Sequence, residues 1–420
     1  MVTRTPEDPT CAPSPAQRKA LAKQTAAYPA IALVLQGGGA LGAYQCGVYE
    51  GLHEAGVRPN WLLGTSIGAI NAALIAGNAP EQRVERLREF WDTICDPGGA
   101  LSWPAAAVRT TLAAFPQTPE VKASAASLAA LAALWQGQRG FFKARPISPF
   151  VLASGSDGAT SFYDPAPLRD TLEKLVDFDR INGDASVRLT VGTVEVATGN
   201  VRYFDSRTTR IGPEHVMASG ALPPAFPPVT IEGHDYWDGG LVSNTPLEYL
   251  LDQWPREDTL ALQVDLWSAR GKRPKSMMDV LERMKDIQYS SRTRSATSHV
   301  ARTQELRTAL TDLIQRLPER KVPDELEEAF APWLDDRVFN IVHLIYQAKP
   351  HEEQFKDYAF GRIAMHEHWH AGLRDTGLTL RHPNFFDLPD RNKGFAVHDV
   401  HRIAQRRAAR FAAQRGSEAV

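Results

Sequence analysis

Residues 31–42 read Ile-Ala-Leu-Val-Leu-Gln-Gly-Gly-Gly-Ala-Leu-Gly, and residues 61–68 read Trp-Leu-Leu-Gly-Thr-Ser-Ile-Gly. Each stretch sets a short apolar run against a glycine-rich break. The first run, Ile31 to Leu35, is continuous rather than alternating, which suits a strand buried on both faces of a parallel sheet. Helical spacing follows from about Leu41 to Ala55, and Gly56 stops it. Trp61-Leu62-Leu63 is the second strand, and a helix starts after Ser66. Strand, helix, strand, helix in this order is a βαβα unit with a right-handed crossover.

The alternation continues along the chain. Leu168 to Val176 has helical spacing, Val187 to Val194 and Val201 to Phe204 read as strands, Tyr236-Trp237 as a short strand and Leu260 to Leu266 as a buried one. An α/β core is therefore expected over about 29–268. Residues 1–28 are polar and proline-rich and read as a flexible tail. Residues from 97 to about 160 are alanine-rich with dispersed large aromatics, and read as an inserted helical lid. Residues 269–420 read as helical and strongly charged. No internal repeat is visible.

Composition narrows the class. With 43% hydrophobic residues in 420, the chain can bury a large core, and 23% charged residues is ordinary for a globular protein. A net charge of -2 gives no argument for nucleic acid, which needs a concentrated basic face. Three cysteines without a C-x-x-C pair read as reduced thiols, so a cytoplasmic location is expected. The N-terminus has no apolar signal-peptide core, and no stretch reaches the roughly 18 apolar residues of a spanning helix. Membrane contact is expected to be peripheral. The sequence carries no signal of oligomeric state.

Gly37, Gly38, Gly39 and Gly42 lie between a strand and a helix, where consecutive glycines turn the backbone and point amides outward beside a helix N-terminus. Two chemistries use such a loop. Dinucleotide binding needs an acidic residue at the end of the next strand, and Leu63-Gly64-Thr65-Ser66 supplies none. The other use is an oxyanion hole for acyl transfer. Gly64-Thr65-Ser66-Ile67-Gly68 fits G-x-S-x-G in the strand–turn–helix setting that the motif needs, with small neighbours letting the turn close around an exposed serine. Asp238-Gly239-Gly240 follows a strand. It is either a plain turn or the base of a Ser–Asp dyad, in which burial would raise an aspartate pKa from about 3.9 toward a useful value. Trp237 and the lid are the expected source of that burial.

At these residues the chain resembles the patatin-like phospholipase family. Gly37-Gly38-Gly39 with Gly42, Gly64-Thr65-Ser66-Ile67-Gly68 and Asp238-Gly239-Gly240 stand in that family's order. Residues 218–228, Ala-Ser-Gly-Ala-Leu-Pro-Pro-Ala-Phe-Pro-Pro, are similar to its proline-rich segment, and Asn244 and Pro246 extend the match. The resemblance implies a three-layer α/β/α fold with a mainly parallel sheet, a helical insertion and a helical C-terminal extension. It implies Ser66 as nucleophile, Asp238 as base, an oxyanion hole at Gly37, Gly38 and Gly39 with the Gly38 and Gly39 amides donating, and no metal or cofactor. The expected activity is hydrolysis of lipid acyl esters, as in a phospholipase A, lysophospholipase or esterase. An esterase for shorter hydroxyacyl or soluble esters, or a catalytically silent lipid-binding protein, are the alternatives. One departure is Leu41, where the family usually carries Arg or Lys; its neutrality points toward a neutral acyl ester.

Other polar groupings read as structural. His366 and His370 share a helical face but do not form H-E-x-x-H, so a polar helix face is expected. His299 or His343 could complete a triad in chain order, although nothing local supports either. The basic stretch Arg402 to Phe411 has a thin apolar face and reads as a solvated terminal helix.

Overall fold

The apolar run that opens the core forms strand β1 (Ala30–Leu35), and every residue of it except Ile31 is buried. This computed structural model describes residues 13–95, 137–156, 158–271, 273–316, 330, 337–347 and 356–401. β1 is flanked by β2 (Trp61–Thr65) and β10 (Thr259–Asp265), both parallel to it. Side chains of β1 alternate between two apolar layers, as a strand's two-residue period requires. Leu33 and Leu35 pack with the helices Ala43–Ala55 and Ile67–Ala76. Ala32 and Val34 pack on the other face with Leu247, Leu250 and Leu251 of the short helix Leu247–Leu251. The result is a helix/sheet/helix sandwich.

Beyond β2 the sheet continues through β6 (Arg188–Glu195), β9 (His234–Asp238) and β8 (Val229–Ile231), with β7 (Val201–Asp205) also paired to β6. The pairings of β6 with β7 and β9, and of β8 with β9, are antiparallel. The rest of the sheet is parallel.

Two expectations about the ends of the chain are corrected. The region after 268 is not a purely helical extension. β11 (Phe339–Ile345) and β12 (Phe395–Asp399) add to β10 in parallel and complete a nine-stranded sheet among the described residues. Phe339-Asn340-Ile341-Val342-His343-Leu344-Ile345 is a short β-branched run, and a buried strand of this length cannot be told from a helical segment by periodicity alone. A 39-residue helix, Met277–Gln315, and the helix Arg362–Leu380 account for the helical reading of the rest. The expected flexible tail, residues 1–28, is helical over part of its described length. Pro15–Thr25 is a helix opened by a capping box, in which Ser14 accepts from the Gln17 amide and Gln17 reaches back to Ser14.

Most of the expected helical lid, residues 96–136, lies outside the described residues, as does Arg402 to Phe411. The described remainder of the insertion carries no α-helix. β3 (Gly137–Gln138), β4 (Phe142–Ala144) and β5 (Tyr163–Asp164) form a small antiparallel sheet.

Candidate active site

Sheet register decides which residues meet. β7 covers one edge of β6 over Thr190 to Val194. The other edge is shared: β2 runs along it as far as Thr65, opposite Gly192, and β9 runs the opposite way and stops at Asp238, opposite Thr193. Two strands thus approach each other end to end, and the residues at their carboxyl ends converge. Ser66 follows Thr65, and its hydroxyl is hydrogen-bonded to the Asp238 carboxyl.

Ser66 sits in a strained backbone, φ 57° and ψ -129°, between β2 and the helix Ile67–Ala76. A non-glycine residue in that region costs about 1–3 kcal/mol and persists only where its surroundings fix it. Here they do. The Ser66 amide donates to Ser219 Oγ at 2.9 Å, and Ser219 Oγ in turn donates to the Gly192 carbonyl at 2.6 Å. The Ser66 carbonyl accepts the Ala69 amide at 2.9 Å, starting the helix. Gly64 and Gly68 are close enough that a Cβ on Gly64 would strike the Gly68 backbone, so the turn closes only with glycine there.

Asp238 is 2% exposed. Burial pushes its pKa up to about 7, while hydrogen bonds from Ser66 and from the Gly240 amide, 2.7 Å from Oδ1, hold it from rising further. Trp237 is not what buries it. Strand alternation puts Trp237 on the opposite face of β9. Gly239, packed against the Gly192 carbonyl and Thr65, closes the site beside Asp238, and Gly240 lies against Asn244.

The glycine loop is held from several directions. Gln36 Oε1 accepts the amides of Leu266 and Trp267, at 2.6 and 3.1 Å. The Gly37 carbonyl accepts Asn244 Nδ2 at 2.9 Å and Trp267 Nε1 at 2.8 Å. The Gly37 amide donates to the Asn244 carbonyl at 3.2 Å, so it is spent on the fold. Gly38 and Gly39 differ: among the described residues no hydrogen bond takes up either amide. Gly39 has φ +55°, and a Cβ there would collide with the Asp357 carbonyl, which accepts the Ala40 amide at 2.8 Å. Gly42 lies against Ile67 and Trp91.

Leu41 is fully buried in the apolar core. A cation at that position would need a buried partner, so the leucine follows from packing and says nothing about a headgroup. A cation reaches the loop by another route, because Lys285 Nζ pairs with Asp357 at 2.8 Å. Asp357 and Lys285 had no local signal in the sequence. Ser219 lay inside the recognised 218–228 segment without being singled out, and Gln36 is marked only by preceding the glycines.

His299, His343, His366 and His370 stay apart from Ser66 and Asp238, whereas His368 Nδ1 lies 3.3 Å from the Ala40 carbonyl of the glycine loop. His343 is on β11, 3.5 Å from Asp265, and burial lowers its pKa to about 4. Asp265 is raised to about 7, again by burial, with the Gln263 amide group holding it down. His299 is exposed on the long helix. His366 and His370 line a small cleft with Glu50, Arg88, Asp92 and Trp369. Among the described residues no group of His, Cys, Asp and Glu is arranged to hold a metal ion. No helix among them is long and apolar enough to cross a membrane.

Comparison with known proteins places the chain in a family. The profile described as patatin-like phospholipase matches residues 33–251, which hold the end of β1, the glycine loop, the elbow and Asp238. The chain belongs to the patatin-like phospholipase family. A second profile, described as patatin phospholipase, matches residues 287–392. It contains β11, Asp357 and the helix Arg362–Leu380. A phospholipase, the activity that the profile's description names, is a carboxylic ester hydrolase acting on lipids. A segment of 49 residues is 53% identical to "Lysophospholipase nte1" of Aspergillus terreus, covering 12% of this patatin-like chain and 3% of that protein. Among solved structures, VipD from Legionella pneumophila aligns over 84% of this chain and 67% of its own, with 13% identity and a TM-score of 0.37. At that level the likeness to VipD bears on neither fold nor chemistry.

Proposed function

We propose that this chain hydrolyses acyl esters of lipids through a Ser66–Asp238 dyad. The observation that carries the reading is the hydrogen bond between Ser66 and a fully buried Asp238 at the meeting point of β2 and β9. Asp238, with a pKa near neutrality, takes the Ser66 proton as Ser66 Oγ attacks the ester carbonyl. The amides of Gly38 and Gly39, which no hydrogen bond engages among the described residues, donate to the oxyanion that forms. The protonated Asp238 then gives its proton to the leaving alcohol. Water enters and gives a proton to Asp238 as its oxygen attacks the acyl carbon, and Asp238 returns that proton to Ser66 Oγ as the fatty acid leaves. No histidine takes part.

The substrate class rests on the family and on the name of the matched lysophospholipase segment. The test is release of fatty acid from phosphatidylcholine, lysophosphatidylcholine and triacylglycerol, and of p-nitrophenol from a short-chain ester, by the wild type and by Ser66→Ala. Turnover of at least one lipid by the wild type, lost in Ser66→Ala, is expected. Turnover of the short ester alone would replace the lipid reading with a soluble-ester one. Full activity in Ser66→Ala would remove the dyad.

A further inference from the structure

The small sheet β3–β4–β5 carries an apolar tip that the catalytic arrangement does not use. Between β4 and β5 the chain reads Pro146-Ile147-Ser148-Pro149-Phe150-Val151, closing in a 3-10 turn at Pro149–Val151. Phe150 is 87% exposed, Val151 75% and Ile147 52%. Phe162 lies edge-on to Phe150 at 5.9 Å. Isolated exposed apolar residues are ordinary, but four gathered on one tip are not. Two prolines restrict the turn, so little conformational freedom remains to be lost when it docks.

The surroundings of the tip favour lipid. From Arg139 to Ser156 the sequence contains Arg139, Lys143 and Arg145 and no Asp or Glu. Cations near protruding apolar side chains match an anionic bilayer surface, which attracts Lys and Arg close to its headgroups. A protein partner is less well served. A stable protein interface buries on the order of 1,600 Å², far more than four side chains offer, whereas a membrane takes up single apolar groups.

The stalk under the tip leads to Asp238. The Phe162 amide donates to the Pro224 carbonyl at 3.2 Å, and the Tyr163 amide to the Ala225 carbonyl at 2.9 Å. Phe142, Tyr163 and Phe226 pack as an aromatic cluster at its base. Residues 221–228 in turn lead to the strand that ends at Asp238, whose amide donates to the Ala221 carbonyl at 3.0 Å. A tip seated in a bilayer would therefore hold the candidate site at the lipid surface.

We infer that Ile147, Phe150 and Val151, with Lys143 on the strand that leads to them, form a docking tip that inserts into an anionic lipid surface and presents the Ser66–Asp238 site to it. Its bearing on turnover rests on the lipid-hydrolase reading, whereas the docking itself does not.

Docking is measured on the full chain carrying Ser66→Ala, which separates it from turnover. The probes are vesicles of phosphatidylcholine alone or mixed with phosphatidylglycerol, read by cosedimentation. Binding to the mixed vesicles is expected, and Phe150→Ser with Val151→Ser should weaken it about tenfold or more. Lys143→Glu should weaken binding to the mixed vesicles about fivefold and leave pure phosphatidylcholine unaffected. With Ser66 intact, the double variant should turn over a soluble monomeric ester at the wild-type rate. Absence of vesicle binding, or binding unchanged by the double variant, overturns the inference. So does a dimer in solution that the double variant dissociates, which would make the tip a contact between copies. If no ester is turned over while the tip variants still lose vesicle binding, the catalytic reading fails and the docking surface stands.

Discussion

Ser66 and Asp238 meet because two strands run toward each other along one edge of β6, β2 ending at Thr65 opposite Gly192 and β9 ending at Asp238 opposite Thr193. The pair is a product of sheet register. Thr65 and Gly192 fix one partner, Thr193 the other, and Gly239 fits between the strand ends. A slip of one residue in either strand would turn its side chains to the other face and separate the pair.

Ser66 carries strain that serves chemistry. Ser66→Ala should abolish ester turnover while the fold persists, since alanine fits the same turn. Ser66→Gly should be equally inactive yet more stable, because glycine adopts φ 57° without the cost of a side chain. A melting temperature several degrees above wild type for Ser66→Gly is expected. One at or below that of Ser66→Ala would mean that the elbow stores no strain.

Asp238 must be ionised to accept a proton. With its pKa at about 7, kcat/KM for a neutral soluble ester should fall about tenfold per unit as pH drops below that value. Asp265 titrates in the same range, so Asp265→Asn is the control: the profile should persist in it. A profile that vanished with Asp265→Asn would assign the ionisation to the wrong carboxyl.

The same shift has a stability consequence. The folded-state pKa of about 7 lies above the unfolded value of about 3.9, so folding takes up a proton between them. The stabilisation is complete below the unfolded value and is lost as pH rises through about 7. Asp238→Asn never carries the buried charge. Its melting temperature should exceed wild type by several degrees near pH 8, with the gap narrowing toward pH 5. A gap that widened on acidification would contradict the assigned direction.

Asn244 holds Gly37 through both backbone and side chain. Asn244→Ala should release the loop and lower kcat by about tenfold or more, with KM for a soluble ester little changed, because the amides of Gly38 and Gly39 lose their fixed aim. An equal rise in KM with kcat intact would point to substrate binding rather than transition-state stabilisation.

The parallel core and the elbow were legible because their signals are local. Ile31 to Leu35, the glycine loop and Gly64 to Gly68 each carry their strand, turn or helix within a few residues. β11 was not legible, since a seven-residue, mostly apolar run between charged stretches fits strand or helix alike. Nor was the support of the oxyanion loop. Asp357 and Trp267 act on Gly39 and Gly37 only after folding brings distant segments together, and a single sequence contains no record of that contact. The pairing of Ser66 with Asp238 was read from motif order, but the spent amide of Gly37 required the Asn244 carbonyl to be seen beside it. The burial of Asp238 was anticipated in direction, though its cause lies in the closed strand ends and not in Trp237.

The central claim is that Ser66 is activated by Asp238 and by no histidine. The most direct measurement is covalent labelling with a fluorophosphonate, with the modified residue mapped by mass spectrometry in wild type, Asp238→Asn, His343→Gln and His366→Gln with His370→Gln. The account predicts a single adduct on Ser66, formed at wild-type rate in the histidine variants and at least about a hundredfold more slowly in Asp238→Asn. An adduct on another residue, or labelling of Ser66 that survives Asp238→Asn and disappears with a histidine, would contradict it.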